Sequence, residues 1–282
     1  HVLRIIRDKG IQKEFYKKHN LPTSDFSLID NKTDLISNIV SFPIVQKLRT
    51  GGYDGRGVQV LKNKEDLEKG FDAPSILEEI IPFDKELAII VSRNESGEVN
   101  TFPVVECEFS PEANLVEFLF SPADVSRLVE DKAKELAINI IESLDMVGIL
   151  AVELFLTKDG SLLINEIAPR PHNSGHHTIE SNVTSQFQQH LRSVLNLPLG
   201  DTSLTSCGAM LNVLGEKDSN GPALYDGLEF LLDQPGVFVH IYGKEIVKSF
   251  RKMGHITVLA PTIDELKQKV ESIKGKLKAH SA

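Results

Sequence analysis

Apolar positions along this chain repeat at two periods, and the changes of period mark its elements. Residues 9–19 read as a helix broken by Leu21-Pro-Thr-Ser24. Apolar runs at 42–48 and 58–61 predict strands flanking a glycine-rich stretch, and 64–70 predicts a short helix. Strands follow at 75–81 and 86–92, separated by Pro82-Phe-Asp-Lys85, with a further hairpin arm at 97–105. A long helix is predicted from 122 to 144, with Ser121 as its cap, Pro122 at its first position and Asp124 in its first turn. Its stripe of Val125, Leu128, Val129, Leu136, Ile140 and Leu144 marks a core-facing side rather than a cofactor site. A second helix is predicted at 185–195, strands at 207–214, 236–242 and 255–260, and a closing helix after Thr262. Antiparallel hairpins rather than alternating βαβ units make the class α+β.

The most informative interval joins Glu153 to Glu166. Between them Leu154-Phe-Leu-Thr-Lys-Asp-Gly-Ser-Leu-Leu-Ile-Asn165 forms two apolar runs meeting at Asp159-Gly160, a two-residue hairpin signal. With Lys158 facing Ser161, counting back along both strands puts Glu153 opposite Glu166. Like charges about 5 Å apart across strands repel. A cation between them reverses that penalty, and the pair suits Mg²⁺ shared with a nucleotide's phosphates. A surface hairpin with two solvated glutamates is the other reading. A three-residue loop would shift the register by one and send the glutamates to opposite faces.

Composition narrows the classes. A net charge of −9 argues against a general nucleic-acid binder but allows a local cationic pocket. The 282 residues, 41% hydrophobic and 25% charged, suit a globular protein of two or three subdomains. Cys107 and Cys207 are too few for a disulfide scaffold or a four-ligand zinc site, and read as small core residues. His172, His176 and His177 cluster beside Arg170 and Asn173 without zinc-type spacing. No apolar run reaches the roughly 18 residues of a membrane span, and no signal peptide is evident, so the expected location is the cytoplasm.

Thr50-Gly-Gly-Tyr-Asp-Gly-Arg-Gly57 could present backbone amides to phosphate oxygens, or could be a mobile surface hairpin. It is neither a Walker A loop nor a dinucleotide fingerprint, because no Gly-Lys-Ser/Thr follows and a strand comes next. Lys47, on an otherwise apolar strand just before it, is a suitable point charge for a phosphate. The backbone from Glu78 to Ile81 could read an adenine edge and Glu86 accept ribose hydroxyls, or these acids could simply be solvated. Arg170 and His172, stiffened by Pro169 and Pro171, offer paired hydrogen bonds to an oxyanion and a proton carrier near neutral pH; a rigid turn with incidental polar groups is the bland alternative. Lys244, Arg251 and Lys252 are either a phosphate site or a solvated charge run.

Taken in order, the lysine, glycine-rich hairpin, acidic hinge with a downstream glutamate, long helix, and Glu then Asn-Glu on a hairpin resemble the ATP-grasp enzymes. Those clamp Mg-ATP between two α+β subdomains and activate a carboxylate as an acyl phosphate. Closer still is the resemblance to the N5-carboxyaminoimidazole ribonucleotide synthase family of purine biosynthesis. It rests on Lys47-Leu-Arg-Thr-Gly-Gly-Tyr-Asp-Gly-Arg-Gly57, Asn165-Glu-Ile-Ala-Pro-Arg-Pro-His-Asn-Ser-Gly-His176, Ser185-Gln-Phe-Gln-Gln-His-Leu-Arg192 and Lys252-Met-Gly-His-Ile-Thr257, and spans residues 6–260.

The resemblance implies an ATP-grasp domain over 31–200, with a lid-like part at 31–95 and a metal and substrate part at 96–200. A small β-rich C-terminal domain would occupy 201–282, and 1–30 would be a linker and helix leading from a glycine-rich βαβ domain that this chain lacks. It implies ATP-dependent carboxylation of 5-aminoimidazole ribonucleotide by bicarbonate through carboxyphosphate, by a homodimer. Lys9, Lys47, Gly52, Tyr53, Asp54, Gly55, Arg56, Gly57, Gln59, Glu78, Glu79, Ile80, Ile81 and Glu86 would hold ATP, with Asn165 and Glu166 at its phosphates. Glu153 and Glu166 would bind Mg²⁺ or Mn²⁺. Arg170, His172 and Lys244 would act in the chemistry, and Asn173, Ser174, His176, Arg251 and Lys252 would join them in holding the substrates. The wider superfamily carries a third ligand, an asparagine, where this chain has Ala168. Two alternatives remain: a sister ligase, transformylase-like or biotin-carboxylase-like, and a catalytically silent Mg-ATP-binding module.

Overall fold

A computed structural model of the chain describes residues 1–39, 41–52, 57–110 and 115–281. Tyr53, Asp54, Gly55 and Arg56 of the glycine-rich stretch lie outside the described residues. Helices α1 (Val2–Ile6) and α2 (Lys9–Lys18) open the chain. A small antiparallel sheet follows, built from β1 (Phe26–Ile29), β2 (Ile44–Leu48), β3 (Val58–Leu61) and β4 (Ser75–Glu79) in the order β1-β4-β2-β3, with α3 (Lys32–Asn38) between β1 and β2. Its core is Ile29, Leu35, Leu61 and Leu77. Where a short helix was predicted, Lys64–Lys69 forms a 3₁₀ turn, capped by Asn63.

The larger antiparallel sheet begins with β5 (Phe83–Arg93) and continues through β6 (Val99–Thr101), β7 (Val105–Ser110) and β8 (Leu115–Ser121). Helix α4 (Arg127–Ser143) then crosses one face, and β9 (Gly148–Thr157) and β10 (Leu162–Ala168) complete this part. Two short helices, α5 (Thr178–Ser181) and α6 (Gln186–Val194), lead to the C-terminal part. That part holds β11 (Cys207–Leu214), β12 (Asn220–Asp226), α7 (Leu228–Leu232), β13 (Val237–Ile241), β14 (Ile246–Lys248), β15 (Lys252–Ala260), α8 (Ile263–Ile273) and β16 (Lys278–Ser281). Its strands do not form a separate sheet throughout. Strand β11 pairs with β8, Gly208 opposite Ser121, so β10-β9-β5-β7-β8-β11-β15-β13 is one continuous sheet. The cores nevertheless remain distinct, with Phe118 and Phe120 of β8 packing into the C-terminal one.

Several expectations are corrected here. The long helix starts at Arg127, not 122: Ser121 is held in β8 by its pairing with β11, and Ser126 is the N-cap, accepting from Val129 N–H. Leu128 is 64% exposed, whereas Val129, Leu136, Ile140 and Leu144 are buried as expected. Residues 1–30 do more than lead in, because Ile5, Phe15, Tyr16 and Leu21 are part of the core that α4, β5, β9 and β10 share. The small sheet gives way to the large one between β4 and β5, at 80–82. Both cysteines are half-buried and pack against core clusters, Cys107 beside Val105 and Leu119 and Cys207 on the C-terminal core. Among the described residues, no helix is long and apolar enough to cross a membrane.

Candidate active site

Glu153 does lie directly opposite Glu166, but by a different route from simple counting. The loop holds three residues: Thr157 pairs with Ser161, and Gly160 takes the left-handed conformation (φ +81°) that such loops favour. That shift alone would set Leu154 against Ile164 and Asn165 against Glu153. A bulge at Asn165 takes up one residue and restores the pairing of Glu153 with Glu166 and of Ala151 with Ala168. The two offsets cancel.

The carboxylates continue onto the next strand. Ala88 of β5 opposes Glu153 and Glu86 opposes Phe155, so Glu86 and Glu153 are diagonal neighbours on one face. Burial pushes Glu153 up to about 7, with repulsion from Glu166 adding to it; Lys9, Lys252 and Lys47 oppose the shift. Burial likewise lifts Glu86 to about 7, Glu153 adding and Lys47 opposing. Glu153 and Glu86, in which burial and mutual repulsion outweigh the lysines, are hard oxygen donors chemically suited to a hard divalent cation. Among the described residues no group of three or more His, Cys, Asp or Glu could hold a metal ion by itself. The remaining positions around a cation on Glu153 and Glu166 would therefore fall to water or ligand oxygens, the arrangement Mg²⁺ prefers with nucleotide phosphates.

Lysines face this row from α2 and the small sheet. Lys9 Nζ lies 2.8 Å from Glu166 Oε2. Lys47 Nζ donates to Asn165 Oδ1 at 3.0 Å and lies 2.5 Å from Glu78 Oε2, joining the two sheets across the cleft. Glu78 is only 3% exposed and also pairs with Lys13. Burial opposes its charge, but Lys47 and Lys13 outweigh that and hold its carboxyl below the usual range. Lys13 donates in turn to Ser24 Oγ at 2.8 Å and to Thr23 Oγ1, whose hydroxyl donates to Ile164 O at 2.9 Å. Asp8 caps α2 through Gly10 and Ile11 N–H and grips the Arg49 guanidinium at 2.9 and 2.8 Å, fixing the turn that carries Lys9.

His172 approaches from the other side, its Nε2 3.5 Å from Glu153 Oε1. Ser174 N–H donates to His172 Nδ1, so that nitrogen carries the lone pair and Nε2 carries the proton. Lys252, the first residue of β15, is close enough to act electrostatically on both Glu153 and His176. Lys244 Nζ donates to Lys252 O and sits 5.5 Å above the Tyr242 ring.

Not every expected residue converges here. Arg251 donates to Ile246 O at 2.6 Å and is exposed, in the turn between β14 and β15 just before Lys252. Asn173 forms a reciprocal amide pair with Asn212, at 2.8 and 3.0 Å, so its side chain ties the turn to β11. Ser174 is buried and serves the His172 ring. The carboxylate of Glu78 works through Lys47 and Lys13 rather than facing the cleft, leaving exposed Glu79 and half-buried Ile80 and Ile81 as the hinge. Gly52 and Gly57 flank the undescribed part of the glycine stretch, and Gln59 Nε2 turns back to Val60 O. Arg170 is exposed, its guanidinium resting on Pro171 O at 3.1 Å. Sequence reasoning missed Lys13, Asp8 and Arg49. The spacing of Lys13 four residues after Lys9, on one helix face, is the signal that could have found the first.

Two sheets clamping a lysine-lined cleft over an acidic hairpin define an ATP-grasp fold, and an ATP-grasp domain profile matches residues 14–187. The phosphoribosylaminoimidazole carboxylase C-terminal domain matches residues 208–269. The chain belongs to the N5-carboxyaminoimidazole ribonucleotide synthase family. Among solved structures it is similar to N5-carboxyaminoimidazole ribonucleotide synthetase from Thermotoga maritima: TM-score 0.90, 43% identity, 99% of this chain and 74% of that one. It is also similar to N5-carboxyaminoimidazole synthase from Aspergillus clavatus, solved with ADP and 5-aminoimidazole ribonucleotide: TM-score 0.87, 31% identity, 96% and 73% covered. Phosphoribosylaminoimidazole carboxylase of Saccharomyces cerevisiae is 40% identical over 97% of this chain and 50% of its own length. The chain thus spans about half the length of the first curated relatives it matches.

Proposed function

We propose that this chain carboxylates the exocyclic amine of 5-aminoimidazole ribonucleotide, using Mg-ATP and bicarbonate and yielding N5-carboxyaminoimidazole ribonucleotide, ADP and phosphate. The observation that carries the reading is the carboxylate row Glu86, Glu153 and Glu166, flanked by Lys9 and Lys47 on one side and His172 on the other. The ribonucleotide and ADP bound by the Aspergillus clavatus relative support the choice of substrates.

In this reading a bicarbonate oxygen attacks the γ-phosphorus, a P–O bond forms, and the bond to the β-phosphate breaks to release ADP. Lys47 and Lys9 balance charge that builds on the phosphate oxygens. Mg²⁺ held by Glu153 and Glu166 supplies further neutralisation of the phosphates when bound. The acceptor amine then attacks the carboxyl carbon of carboxyphosphate; the C–N bond forms as the C–O bond to phosphate breaks, and the amine proton leaves on the phosphate. With its proton on Nε2, His172 donates a hydrogen bond to an oxygen of the carboxyl group and orients it, rather than taking a proton at that atom. Arg170 covers the same anion from solvent, and Lys244 and Lys252 meet the acceptor's phosphate.

A homodimer belongs to the same reading, and the exposed apolar residues Phe187, Leu191, Val194 and Leu195 support a self-association face. The test is phosphate release from Mg-ATP and bicarbonate, with and without the ribonucleotide, beside a Glu166→Gln control. Release that requires the acceptor and vanishes in the control bears out the proposal. Mg-ATP binding without acceptor dependence would replace it with a silent nucleotide-binding module.

A further inference from the structure

The main chain at His172 is gripped by a residue with no part in the reaction just described. Gln186, the first residue of α6, has no exposed surface. Its Oε1 accepts from His172 N–H at 2.8 Å, and its Nε2 donates to His172 O at 2.8 Å and to His176 Nδ1 at 2.9 Å. Both donors and the acceptor of the amide are therefore used, and the fixed polarity of His172 N–H and C=O sets which end is which. Its own N–H donates to Thr178 Oγ1 at 2.9 Å, and the Ser185–Gln188 capping box fixes the helix start that carries it. Space for the amide comes from Gly175, where an added Cβ would lie 2.7 Å from Gln186 Cδ and 2.2 Å from Ile90 Cδ1.

The third hydrogen bond reaches into the C-terminal part. Because Nδ1 of His176 accepts from Gln186, its ring proton is on Nε2. That ring stacks on Phe187 of α6 at 5.8 Å and on His255 of β15 at 4.9 Å, and His255 stacks on His240 of β13 at 4.3 Å. Tyr242 Oη hydrogen-bonds His255 Nδ1 at 2.9 Å, and His240 Nε2 meets Glu180 Oε1 at 2.8 Å. Burial first, then Lys252, His240 and Arg170, hold His176 neutral, at about 4. Strand β15 carries His255 three residues beyond Lys252, so the column and the cation share one rigid strand.

We propose that Gln186 is a positioning residue: by clamping both backbone polar atoms of His172 and fixing the tautomer of His176, it registers the Arg170–His172 turn against the strand that carries Lys252. The proposal rests on the role given to His172 above. Loss of the amide leaves the His172 N–H without its partner and its C=O with Gly175 N–H alone; the turn is then free to drift, and a misplacement of about 1 Å lowers turnover by ~10²-fold.

The experiment uses the full chain as wild type, Gln186→Glu, Gln186→Ala and Gly175→Ala. Calorimetry gives Mg-ATP affinity, steady-state phosphate release gives kcat and KM for the ribonucleotide, and ¹⁵N spectra of histidine-labelled protein give the His176 tautomer without turnover. The expected result is a kcat lower by ~10²-fold in all three variants, with Mg-ATP affinity unchanged. In Gln186→Glu the His176 proton also moves to Nδ1, where a carboxylate has replaced the donor. A His176 tautomer unchanged in Gln186→Glu overturns the proposal, as does a kcat equal to wild type. So does a parallel loss of ATP affinity and kcat, which would mark mere structural damage. If wild type itself shows no acceptor-dependent release, the reading of His172 fails, and the ¹⁵N spectra alone decide whether Gln186 sets the turn.

Discussion

Glu78 and Glu153 both feel the charge of Lys47, yet their surroundings drive them in opposite directions. Glu78, 3% exposed, sits between Lys13 and Lys47 and accepts from Ser24, and its carboxyl is held below the usual range. Glu153 is half-buried beside Glu86 and Glu166, and its carboxyl rises to about 7. The first charge is neutralised by the chain itself and serves as structure. The second lies in a row where the chain supplies too little positive charge, so the deficit falls to a ligand. Satisfaction by internal partners separates the structural carboxylate from the functional one.

The contrast is tested most severely at Glu78. Glu78→Gln leaves Lys13, 2% exposed, without its counter-charge, and unfolding should become easier by about 3–5 kcal/mol in chemical denaturation. Adding Lys13→Met should recover part of that loss. A loss below about 1 kcal/mol would mean that the pair behaves like one at the surface, and the contrast would collapse.

Glu153→Gln should act the other way. Acceptor-dependent phosphate release is expected to fall by ~10²–10³-fold, while melting temperature without divalent cation rises, since repulsion with Glu86 and Glu166 is relieved. A variant that loses both activity and stability would place Glu153 with Glu78 instead.

The pH dependence sharpens the same point. The folded protein holds protons on Glu86 and Glu153 that the unfolded chain releases near 4.5, up to about 7. More protons bound in the folded state means that stability falls as pH rises across that window. Mg²⁺ competes with those protons, so its stabilising effect should grow as pH rises through about 7. Thermal melts with and without Mg²⁺ at several pH values measure both slopes, and Glu153→Gln should flatten them.

The smallest effect is expected at Asp8→Ala, which removes the α2 cap and the grip on Arg49. Stability should drop by about 1 kcal/mol, and KM for ATP should rise modestly, because Lys9 follows on the same turn. An unchanged KM would detach Lys9 from the nucleotide.

The elements that the sequence predicted best are those whose pattern is local. The 207–214 and 58–61 strands match β11 and β3, and the helix predicted at 185–195 is α6, opened by a capping box at Ser185. The helix start at 122 failed because a good local cap, Ser121-Pro122, was outweighed by pairing of Ser121 with Gly208, far along the chain. Opposition of Glu153 and Glu166 was anticipated, yet the loop was one residue longer and the bulge one residue richer than assumed. Neither Asp-Gly nor Asn165 announces that compensation, because a bulge is selected by what it faces across the sheet.

By itself, then, the sequence determined which chemical groups exist and in what order: the lysines, the hairpin glutamates, and the Arg170–His172 turn with its flanking prolines. Tertiary structure alone decided their states. It buried Glu78 between lysines 65 and 31 residues away in the chain, left Glu153 short of positive charge, and put the amide of Gln186 against the backbone of His172. Charge, tautomer and hydrogen-bond partner depend on desolvation and on contacts between distant segments, and these exist only once the sheets have packed.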